Sequence, residues 1–245
     1  SLMKPLKIRF IGTNNQKYTF LLKKETNDAR KEPRTMDFMD YINHLLQTSQ
    51  QTKDLGLRLI NYAIMGLGPN MNLIEWVENS NIISNIVFEE EGTVKISKYL
   101  IDNKTRFSPD IWSETTDLTF ALKKFYLSKS LDEVQWFARN KALIKSYAVC
   151  CAFGYLLNLG DRHLENILYK TDTFELFNID FDCILGKAKR LGVPEIVDFR
   201  LTRLLTKAMG ITQSWGLFFF YFKQSLTVMH ENLTSILQFL EIYLI

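Results

Sequence analysis

The sequence predicts an α+β protein in which a small, β-rich amino-terminal part precedes a larger helical part. Alternating apolar residues on either side of an Asn-Asn turn predict a hairpin near the amino terminus. After about residue 118, apolar residues recur at helical spacing. Within this helical part, residues 158–182 contain two polar knots in apolar surroundings, GDRHLEN and NIDFD. These knots are the first candidates for a functional site.

The amino-terminal part divides into a hairpin, a helix and two further strands. The segments LKIRFIG and KYTFLLK predict the hairpin, and residues 33–48 predict a helix with Pro33 near its start. Residues 58–68 predict a strand, and a turn at GPNMN joins it to a strand or connector at residues 73–79. We expect this part to comprise residues 1–77.

The remaining part, residues 78–245, is expected to be mainly helical, although residues 85–118 predict only surface segments or short helices. The predicted helices lie at residues 118–128, 131–138, 142–158, 199–210, 215–230 and 231–244. The most apolar stretches, 216–222 and 236–245, are shorter than the roughly 20 residues of a membrane span. We therefore expect core helices and no membrane partner.

The composition is that of a globular protein with one large domain or two lobes around a cleft. The 245 residues are 47% hydrophobic and 23% charged, and the net charge of +3 does not by itself favour a nucleic acid or membrane partner. Three cysteines, two of them adjacent at Cys150 and Cys151, predict buried thiols in a reducing compartment. Three histidines without a CxxC pair argue against structural zinc.

The two knots carry the side chains that phosphoryl transfer from a nucleotide requires. Asp161 and Asn166 are five positions apart, as in the protein-kinase pattern H-R-D-x-x-x-x-N, and Asp180 precedes Phe181 as in D-F-G. In such sites one carboxylate orients the attacking hydroxyl, while a second carboxylate and an amide oxygen hold Mg²⁺ on the phosphates. Either knot alone would usually be a cap, a turn or a surface ion pair. Together, joined by the predicted hairpin LYKTDTFELFNI, they favour one Mg-nucleotide site.

GDRHLEN followed by IDFD resembles the phosphatidylinositol 3-kinase-related protein kinases, the large Ser/Thr kinases of DNA-damage and growth signalling. The segments SLMKP, FLLKK, ARKEPR, NYAIMGL, LIEWV and VPEIVDFRLTR follow in the family's order, so the resemblance covers essentially the whole chain. Within the family, GDRHLENIL, DFDC and GKAKRLGVPEIV are most similar to the ATR branch of DNA-damage checkpoint kinases and its fungal counterparts. The resemblance implies a two-lobed, protein-kinase-like fold of the PI3/PI4-kinase type with a truncated amino-terminal lobe.

The resemblance also implies that ATP and Mg²⁺ are bound. By this analogy Ser1 and Leu2 belong to the phosphate loop, Lys23 contacts the phosphates, and Glu32 pairs with that lysine from the lobe helix. The adenine site would be lined by Tyr62, Trp76, Val77, Leu168 and Ile179, with the tryptophan stacked on the base. Without the family context, the lysine would be a solvated residue on an edge strand and the tryptophan a core residue.

The chemical step is assigned by the same resemblance. Asp161 would be the catalytic base, His163 a stabiliser of the transition state, and Asn166 and Asp180 the Mg²⁺ ligands. The histidine has the alternative role of holding its loop by hydrogen bonds. Residues 182–198 would form the activation loop that receives a protein substrate at a Ser or Thr followed by Gln. A regulatory subunit, indirect contact with DNA and a nuclear location are implied by the family alone.

Three positions depart from the family pattern. Asp182 replaces the Gly of D-F-G, Gly66 replaces a common Pro, and Asp198 replaces the Pro before Phe-Arg-Leu-Thr. The extra carboxylate beside Asp180 either strengthens metal binding or faces solvent. The family's earlier small-lobe strands, helical-repeat scaffold and FATC element are absent from the sequence, so we expect a fragment or a strongly reduced protein.

Two other functions stay open. Phosphoinositide kinases share DRHxxN and DFG and recognise anionic head groups with basic residues in the activation loop, for which Lys187, Lys189 and Arg190 are candidates. VPEI and FRLTR favour the protein kinases instead. An inactive pseudokinase or scaffold is the third possibility, although a scaffold would not need the complete set of catalytic and metal-binding side chains.

Overall fold

A four-stranded antiparallel sheet forms the beginning of the chain. The computed structural model describes residues 5–25, 28–86, 118–192, 194–195 and 197–243. The strands of this sheet are β1 (Leu6–Ile11), β2 (Lys17–Lys24), β3 (Ile64–Gly68) and β4 (Met71–Glu75), in the order β1-β2-β4-β3. The sheet therefore brings β2 to a central position between the hairpin and the later strands.

The predicted hairpin is confirmed, and its turn is built from polar side chains. The amide of Gly12 donates to the carbonyl of Gln16 at 2.8 Å, and the Gln16 amide donates to Asn14 Oδ1 at 3.1 Å. Asn15 has a φ of 60°, a left-handed conformation that asparagine tolerates better than most residues. The Asn-Asn pair thus closes the chain between β1 and β2.

Helix α1 (Lys31–Thr48) confirms the helix predicted at residues 33–48 and starts two residues earlier. Pro33 lies in its first turn, where its missing N–H costs no helical hydrogen bond. Apolar residues at three- and four-residue spacing form its buried face, namely Met36, Phe38, Met39, Ile42 and Leu46. The short helix α2 (Gln50–Asp54) follows directly.

The strand predicted at residues 58–68 is wrong over its first half, because β3 begins only at Ile64. The backbone of Leu59 is bonded by the side chain of Asn43 instead of a neighbouring strand. Its amide donates to Asn43 Oδ1 at 2.7 Å, and its carbonyl accepts from Asn43 Nδ2 at 3.1 Å. A side chain of α1 therefore satisfies the backbone groups that a strand ladder would have used.

The central helix of the second part is α4 (Glu133–Leu157), which follows α3 (Ala121–Ser128). Two helices were predicted across this span, with a break near Asn140, and that prediction is wrong. Asn140 does not end the helix because its side chain is buried and its Nδ2 donates to the carbonyl of Ala208. A long-range bond thus replaces the local competition with the backbone that usually makes asparagine a helix terminator.

A second, three-stranded sheet carries the hairpin between the two polar knots. It consists of β5 (Ser80–Ile82), β6 (Ile167–Lys170) and β7 (Leu176–Asn178), paired antiparallel in that order. The predicted hairpin of β6 and β7 is confirmed. It places the first knot immediately before β6 and the second immediately after β7, so both knots lie at one end of the same strand pair.

The chain ends with α5 (Arg203–Ala208), α6 (Leu217–Glu231) and α7 (Leu233–Tyr243). The helix predicted at residues 199–210 is shorter than expected and begins only at Arg203. Ahead of it, the carbonyl of Arg200 accepts a hydrogen bond from the hydroxyl of Tyr147 on α4. The last two helices agree with the prediction. None of the helices in the described ranges combines the length and apolarity needed to cross a membrane. The prediction for residues 85–118 falls almost entirely on residues 87–117, which lie outside the described residues.

A row of phenylalanine rings connects the two parts. Phe38 on α1 packs against Phe153 on α4 with ring centroids 5.7 Å apart, and Phe153 packs edge-on against Phe181 at 6.3 Å. All three rings are almost fully buried. Because Phe181 directly follows Asp180, this apolar row holds the second knot against the core. The α+β class is confirmed, with a small antiparallel sheet at the beginning of the chain, and the boundary at residue 77 stays a prediction.

The amino-terminal cap of α4 offers a test of this fold. Asp132 lies just before the helix, and its carboxylate accepts a hydrogen bond from the amide of Gln135 at 2.7 Å. We expect Asp132→Ala to lower the free energy of unfolding by about 1 kcal/mol. Asp132→Asn, which keeps an acceptor, should remain close to the wild type. Urea unfolding followed by circular dichroism measures the difference, and equal losses in both variants would contradict the capping role.

Candidate active site

The predicted site residues come from both parts of the molecule. Lys23 lies on β2 and Glu32 in the first turn of α1. Asp161, His163 and Asn166 lie in the loop between α4 and β6. Leu168 lies on β6, and the others lie next to strands, namely Tyr62, Trp76, Val77, Ile179 and Asp180. Ser1 and Leu2 lie outside the described residues.

Lys23 is held between two carboxylates. Its Nζ lies 3.2 Å from Glu25 Oε1 and 3.6 Å from Glu32 Oε1. Burial lowers the pKa of Lys23, but the nearby charges of Glu32, Asp180 and Glu25 outweigh it and raise that pKa above its ordinary value. The lysine is therefore firmly cationic, and its charge is felt on both sides of the cleft.

The pKa of the Glu32 carboxyl is set by burial as well as by nearby charges. Its side chain is almost fully buried, and burial raises the pKa of Glu32 to about 7, with Lys23 pulling it down and Asp180 and Glu25 pushing it up. Its Oε2 accepts no hydrogen bond from the residues that the structure describes. The carboxyl group is thus only partly compensated by its lysine partner.

The first knot is an irregular loop fixed by its own backbone. Asn158 ends α4 in the left-handed conformation, and Asp161 also has a positive φ, 57°. Asn166 is buried, and its Nδ2 donates to the carbonyl of Asp161 at 2.8 Å. The amide of Ile179 donates to the carbonyl of Asn166 at 3.1 Å. These bonds place the first knot directly against the residues that lead into the second.

Arg162 joins the two knots from inside the protein. Its Nε donates to the carbonyl of Gly160 at 2.9 Å, its Nη1 to the carbonyl of Ile179 at 2.6 Å, and its Nη2 to the carbonyl of Asp180. Burial lowers the pKa of Arg162, whereas the charges of Asp180 and Asp161 raise it. Because a guanidinium stays protonated in proteins, a fixed positive charge lies behind both aspartates.

Asp180 presents its carboxylate without a protein partner. The residue has a φ of 61°, and its backbone carbonyl is bonded by Arg162. Among the described residues, none donates a hydrogen bond to this carboxylate or forms an ion pair with it. Its charge nevertheless acts on Lys23, Glu32 and the buried Tyr62, so it faces the interior of the cleft.

Asn166 and Asp180 fit a magnesium ion that also binds phosphate oxygens. The bond from Asn166 Nδ2 to Asp161 leaves Oδ1 as the acceptor of that amide, and Asp180 offers an unpaired carboxylate. Amide and carboxylate oxygens are ligands that Mg²⁺ prefers, usually with only one or two carboxylates and with substrate phosphates. The described residues contain no cluster of three or more His, Cys, Asp or Glu side chains placed to hold a metal. The arrangement therefore suits an ion that arrives with a nucleotide.

His163 lies beside this loop without a fixed partner. Its Nδ1 accepts or donates no hydrogen bond within the described ranges, and the nearest acidic oxygen, Glu165 Oε2, is 4.0 Å away. The alternative of a histidine that holds its loop through hydrogen bonds therefore has no observed bond in its favour.

The residues predicted for the adenine site surround the segment after β4. The amide of Trp76 donates to the carbonyl of Thr19 at 2.9 Å, and its ring is about one-third exposed, with Lys7 Nζ 3.6 Å from the ring centroid. The carbonyl of Val77 accepts from Ser80 Oγ at 2.6 Å. Tyr62 is buried, and burial raises the pKa of its hydroxyl well above the ordinary value. Leu168 and Ile179 are partly buried.

The three positions that depart from the family pattern lie in different structural surroundings. Asp182 forms an ion pair with Lys187, so this carboxylate has a protein partner and does not simply face solvent. Gly66 lies where the register between β3 and β4 shifts by a bulge. Asp198 is exposed. The ion pair also engages one of the basic residues that made a lipid substrate a candidate.

Sequence analysis missed three residues of this site, Arg162, Glu25 and Glu195. Glu25 is two positions after Lys23, just beyond the end of β2, and the two-residue alternation of a strand could have indicated it. Arg162 stands between two knot residues in the sequence, but nothing in the sequence shows that it is buried. The Oε2 atom of Glu195 accepts a hydrogen bond from the amide of Asp161 at 2.7 Å, across 34 positions of the chain. No local pattern predicts such a contact.

The buried carboxyl of Glu32 makes stability depend on pH. Its pKa is raised from 4.5 to about 7 in the folded protein. Below pH 4.5 the Glu32 carboxyl is protonated in both the folded and the unfolded state, so it does not lower the free energy of unfolding. As the pH rises through the window between the two values, the unfolded state releases the proton first, so stability falls and the loss is complete above the folded pKa. At about 1.4 kcal/mol per pKa unit, the loss is about 3 kcal/mol.

Glu32→Gln should remove this contribution. We expect wild type and variant to differ little near pH 4, and the variant to gain relative stability of up to about 3 kcal/mol by pH 8. The measurement is the free energy of unfolding in urea across this range, without nucleotide. Glu231→Gln on the exposed end of α6 is the matched control. Parallel profiles for wild type and Glu32→Gln would show that burial does not shift this group.

The chain matches the family described as phosphatidylinositol 3- and 4-kinase over residues 17–244. Among curated proteins, it is 33% identical to the serine/threonine-protein kinase MEC1 of Eremothecium gossypii, over 98% of this chain and 11% of that protein. It is 31% identical to the serine/threonine-protein kinase TOR of Oryza sativa subsp. japonica, over 99% of this chain and 10% of the relative. The chain thus spans about a tenth of the length of these curated relatives.

Solved structures give the same result for the fold. The FAT and kinase domain of CtTel1 superimposes with a TM-score of 0.81 at 27% identity, over 96% of this chain and 18% of that chain. Among the curated proteins, the serine/threonine-protein kinase ATR of Arabidopsis thaliana is also similar, with 28% identity over all of this chain and 9% of the length of that protein. The two-lobed kinase-like fold expected from the sequence is therefore confirmed. The chain belongs to the phosphatidylinositol 3- and 4-kinase family, and within it to the catalytic domains of the phosphatidylinositol 3-kinase-related protein kinases, close to ATR and MEC1.

Proposed function

We propose that this chain is the catalytic domain of an ATP- and Mg²⁺-dependent Ser/Thr protein kinase of the DNA-damage checkpoint type, which phosphorylates Ser or Thr followed by Gln. The proposal rests chiefly on one observation. Arg162 ties the loop of Asp161 and Asn166 to the segment of Asp180, and the charge of Asp180 reaches Lys23 on the opposite sheet. A base, two oxygen ligands and a phosphate-binding cation thus surround one cleft.

In the proposed reaction, Asp161 orients the acceptor hydroxyl and takes its proton as the oxygen attacks the terminal phosphorus of ATP. The bond from that phosphorus to the bridging oxygen breaks, and ADP leaves with the bonding electrons. His163, which has no competing hydrogen bond among the described residues, is free to donate to the phosphoryl oxygens as charge develops there. Asn166 and Asp180 would hold magnesium, which when bound offsets the phosphate charge. Lys23, kept cationic by its carboxylate neighbours, binds the phosphates from the β-rich side.

The nucleotide would be bound by the remaining residues of the predicted set. Ser1 and Leu2 are assigned to the phosphate loop by family resemblance alone. Trp76 offers a partly exposed ring for stacking on adenine, and the ammonium of Lys7 that now lies on that ring would have to share or leave it. The adenine would otherwise contact Tyr62, Val77, Leu168 and Ile179.

The substrate class is drawn from relatives. The curated relatives are named Ser/Thr protein kinases, which favours protein over lipid acceptors. The checkpoint type and the Ser/Thr-Gln preference follow from similarity to MEC1 and ATR, although TOR is similar to nearly the same degree. A regulatory subunit, indirect contact with DNA and a nuclear location belong to the same proposal.

The phosphoinositide alternative depends on the basic residues of the activation loop. Lys187, Lys189 and Arg190 form a short 3₁₀ turn there, but Lys187 is already paired with Asp182. This pairing removes one charge from any head-group site. Phosphatidylinositol vesicles are therefore included as an acceptor in the test of specificity.

Removing either catalytic carboxylate should remove activity. We expect Asp161→Asn to lower kcat by about 10²- to 10⁴-fold, the typical contribution of a positioned general base. Asp180→Ala should also weaken Mg²⁺-dependent nucleotide binding. Asp172→Ala is the matched control, because Asp172 is exposed at the tip of the β6–β7 hairpin between the knots. Activity is measured as transfer of labelled phosphate from ATP. Full activity in Asp161→Asn would contradict its role as the catalytic base, and no transfer by wild type or any variant would favour the scaffold hypothesis.

Paired acceptors determine the substrate class. Peptides that differ only in Ser-Gln against Ser-Ala are offered with labelled ATP and Mg²⁺, beside phosphatidylinositol vesicles, with Asp180→Ala as the blank. We expect transfer to the Ser-Gln peptide and at least tenfold less to the Ser-Ala peptide, since one satisfied or unsatisfied side-chain hydrogen bond changes the rate by about this factor. Equal transfer to both peptides would contradict the checkpoint type, and transfer to lipid alone would contradict a protein kinase.

A further inference from the structure

The catalytic loop has a conformation that its own sequence does not favour. Asp161 has a φ of 57°, in the left-handed region that non-glycine residues seldom occupy. A residue persists in such a conformation when surrounding interactions hold it there. On the carbonyl side, Asn166 Nδ2 supplies one such interaction at 2.8 Å. The partner on the amide side comes from a distant part of the chain.

That partner is Glu195, in the segment where the acceptor peptide would bind. Its Oε2 accepts a hydrogen bond from the amide of Asp161 at 2.7 Å, the short distance of a charge-assisted bond. Glu195 is half-buried, and its own amide donates to the carbonyl of Ala188 at 3.2 Å. The carboxylate therefore belongs to a folded segment with a fixed backbone and is not a freely rotating surface group.

The two segments also fit each other closely beside this bond. A Cβ added to Gly160 would lie 2.1 Å from the Cβ of Ala188 and 3.0 Å from Glu195 Oε2. The amide of Gly160 donates to the carbonyl of Cys183 at 2.8 Å. Glycine is thus required at residue 160 because the activation segment lies directly on the loop, and any side chain there would separate the two.

We propose that Glu195 is a positioning residue that couples the activation segment to the catalytic base. This inference rests on the proposed kinase function. The carboxylate of Glu195 holds the Asp161 backbone, so that the Asp161 side chain reaches its working orientation only when the segment carrying Glu195 is docked. An acceptor peptide that contacts this segment therefore also acts on the base. Lys23 and Asp180 make no bond to Glu195 among the described residues, so the phosphate-binding lysine and one of the two magnesium ligands are not tied to this contact.

The test compares Glu195→Ala with Glu195→Gln in the native full-length protein. Glu195→Ala should lower kcat by about 10- to 100-fold, the rate equivalent of one charge-assisted hydrogen bond, with the KM for ATP within about twofold of wild type. Glu195→Gln retains an acceptor oxygen and should recover most of the rate. Glu231→Ala, on the exposed end of α6, is the control for loss of a glutamate.

Hydrogen exchange gives a readout that does not depend on activity. The amides of residues 158–166 should exchange at least tenfold faster in Glu195→Ala, while those of α4 remain protected as in wild type. Gly160→Ala, which pushes the segment away without altering the glutamate, should have the same effect on exchange. Unchanged exchange in Glu195→Ala would overturn the proposal.

The kinetic results also distinguish a coupling role of Glu195 from a merely structural one. Wild-type rates in Glu195→Ala would overturn the coupling. Equal losses of rate in Glu195→Ala and Glu195→Gln, together with a higher KM for ATP or a lower Tm, would also overturn it, because they indicate a merely structural role. If the wild type transfers phosphate to no acceptor, the proposed function fails, while the exchange experiment still decides whether Glu195 holds the loop.

Discussion

The buried guanidinium of Arg162 is the interaction on which the rest of the site depends. It donates to carbonyl groups on both polar knots and places a fixed positive charge behind Asp161 and Asp180. Two carboxylates brought together in a partly desolvated cleft repel each other, and an unpaired buried charge is costly. A planar cation with several donors offsets both costs, because it satisfies backbone carbonyls while it lowers the local negative potential.

The two parts of the molecule are joined by charge on one side of the cleft and by apolar packing on the other. Lys23 on the sheet responds to Asp180 below it, whereas Phe38, Phe153 and Phe181 form a continuous buried row from α1 to the second knot. The apolar row fixes the backbone next to Asp180, so the carboxylate can remain free of protein partners. Glu32 retains a partly unsatisfied carboxyl in the same space, which is a stability cost tolerated at the site.

The sequence predicts those features that depend on local spacing. The hairpins, α1 and the last two helices follow from periodicity and turn residues, and the positions of Asp161, Asn166 and Asp180 follow from two short motifs. It fails where a side chain replaces a backbone partner over a long distance. Asn43 takes the hydrogen bonds expected of a strand at Leu59, and Asn140 bonds the carbonyl of Ala208 within a helix that was predicted as two, at residues 131–138 and 142–158. Such contacts leave no periodic signal in the chain.

Two aspartates, one in each polar knot, have a left-handed backbone conformation, and this links activity to folding in this domain. Asp161 and Asp180 both have positive φ, a conformation that costs a non-glycine residue about 1–2 kcal/mol. In an unfolded or loosely packed chain, nothing would hold them there. Arg162 donates to the carbonyls of Ile179 and Asp180 across 17 and 18 positions, and Glu195 accepts from the amide of Asp161 across 34 positions. Asn166 bonds the Asp161 carbonyl within the loop itself. The geometry needed for chemistry therefore exists only when tertiary contacts are complete, which allows a docked substrate segment to control the catalytic loop.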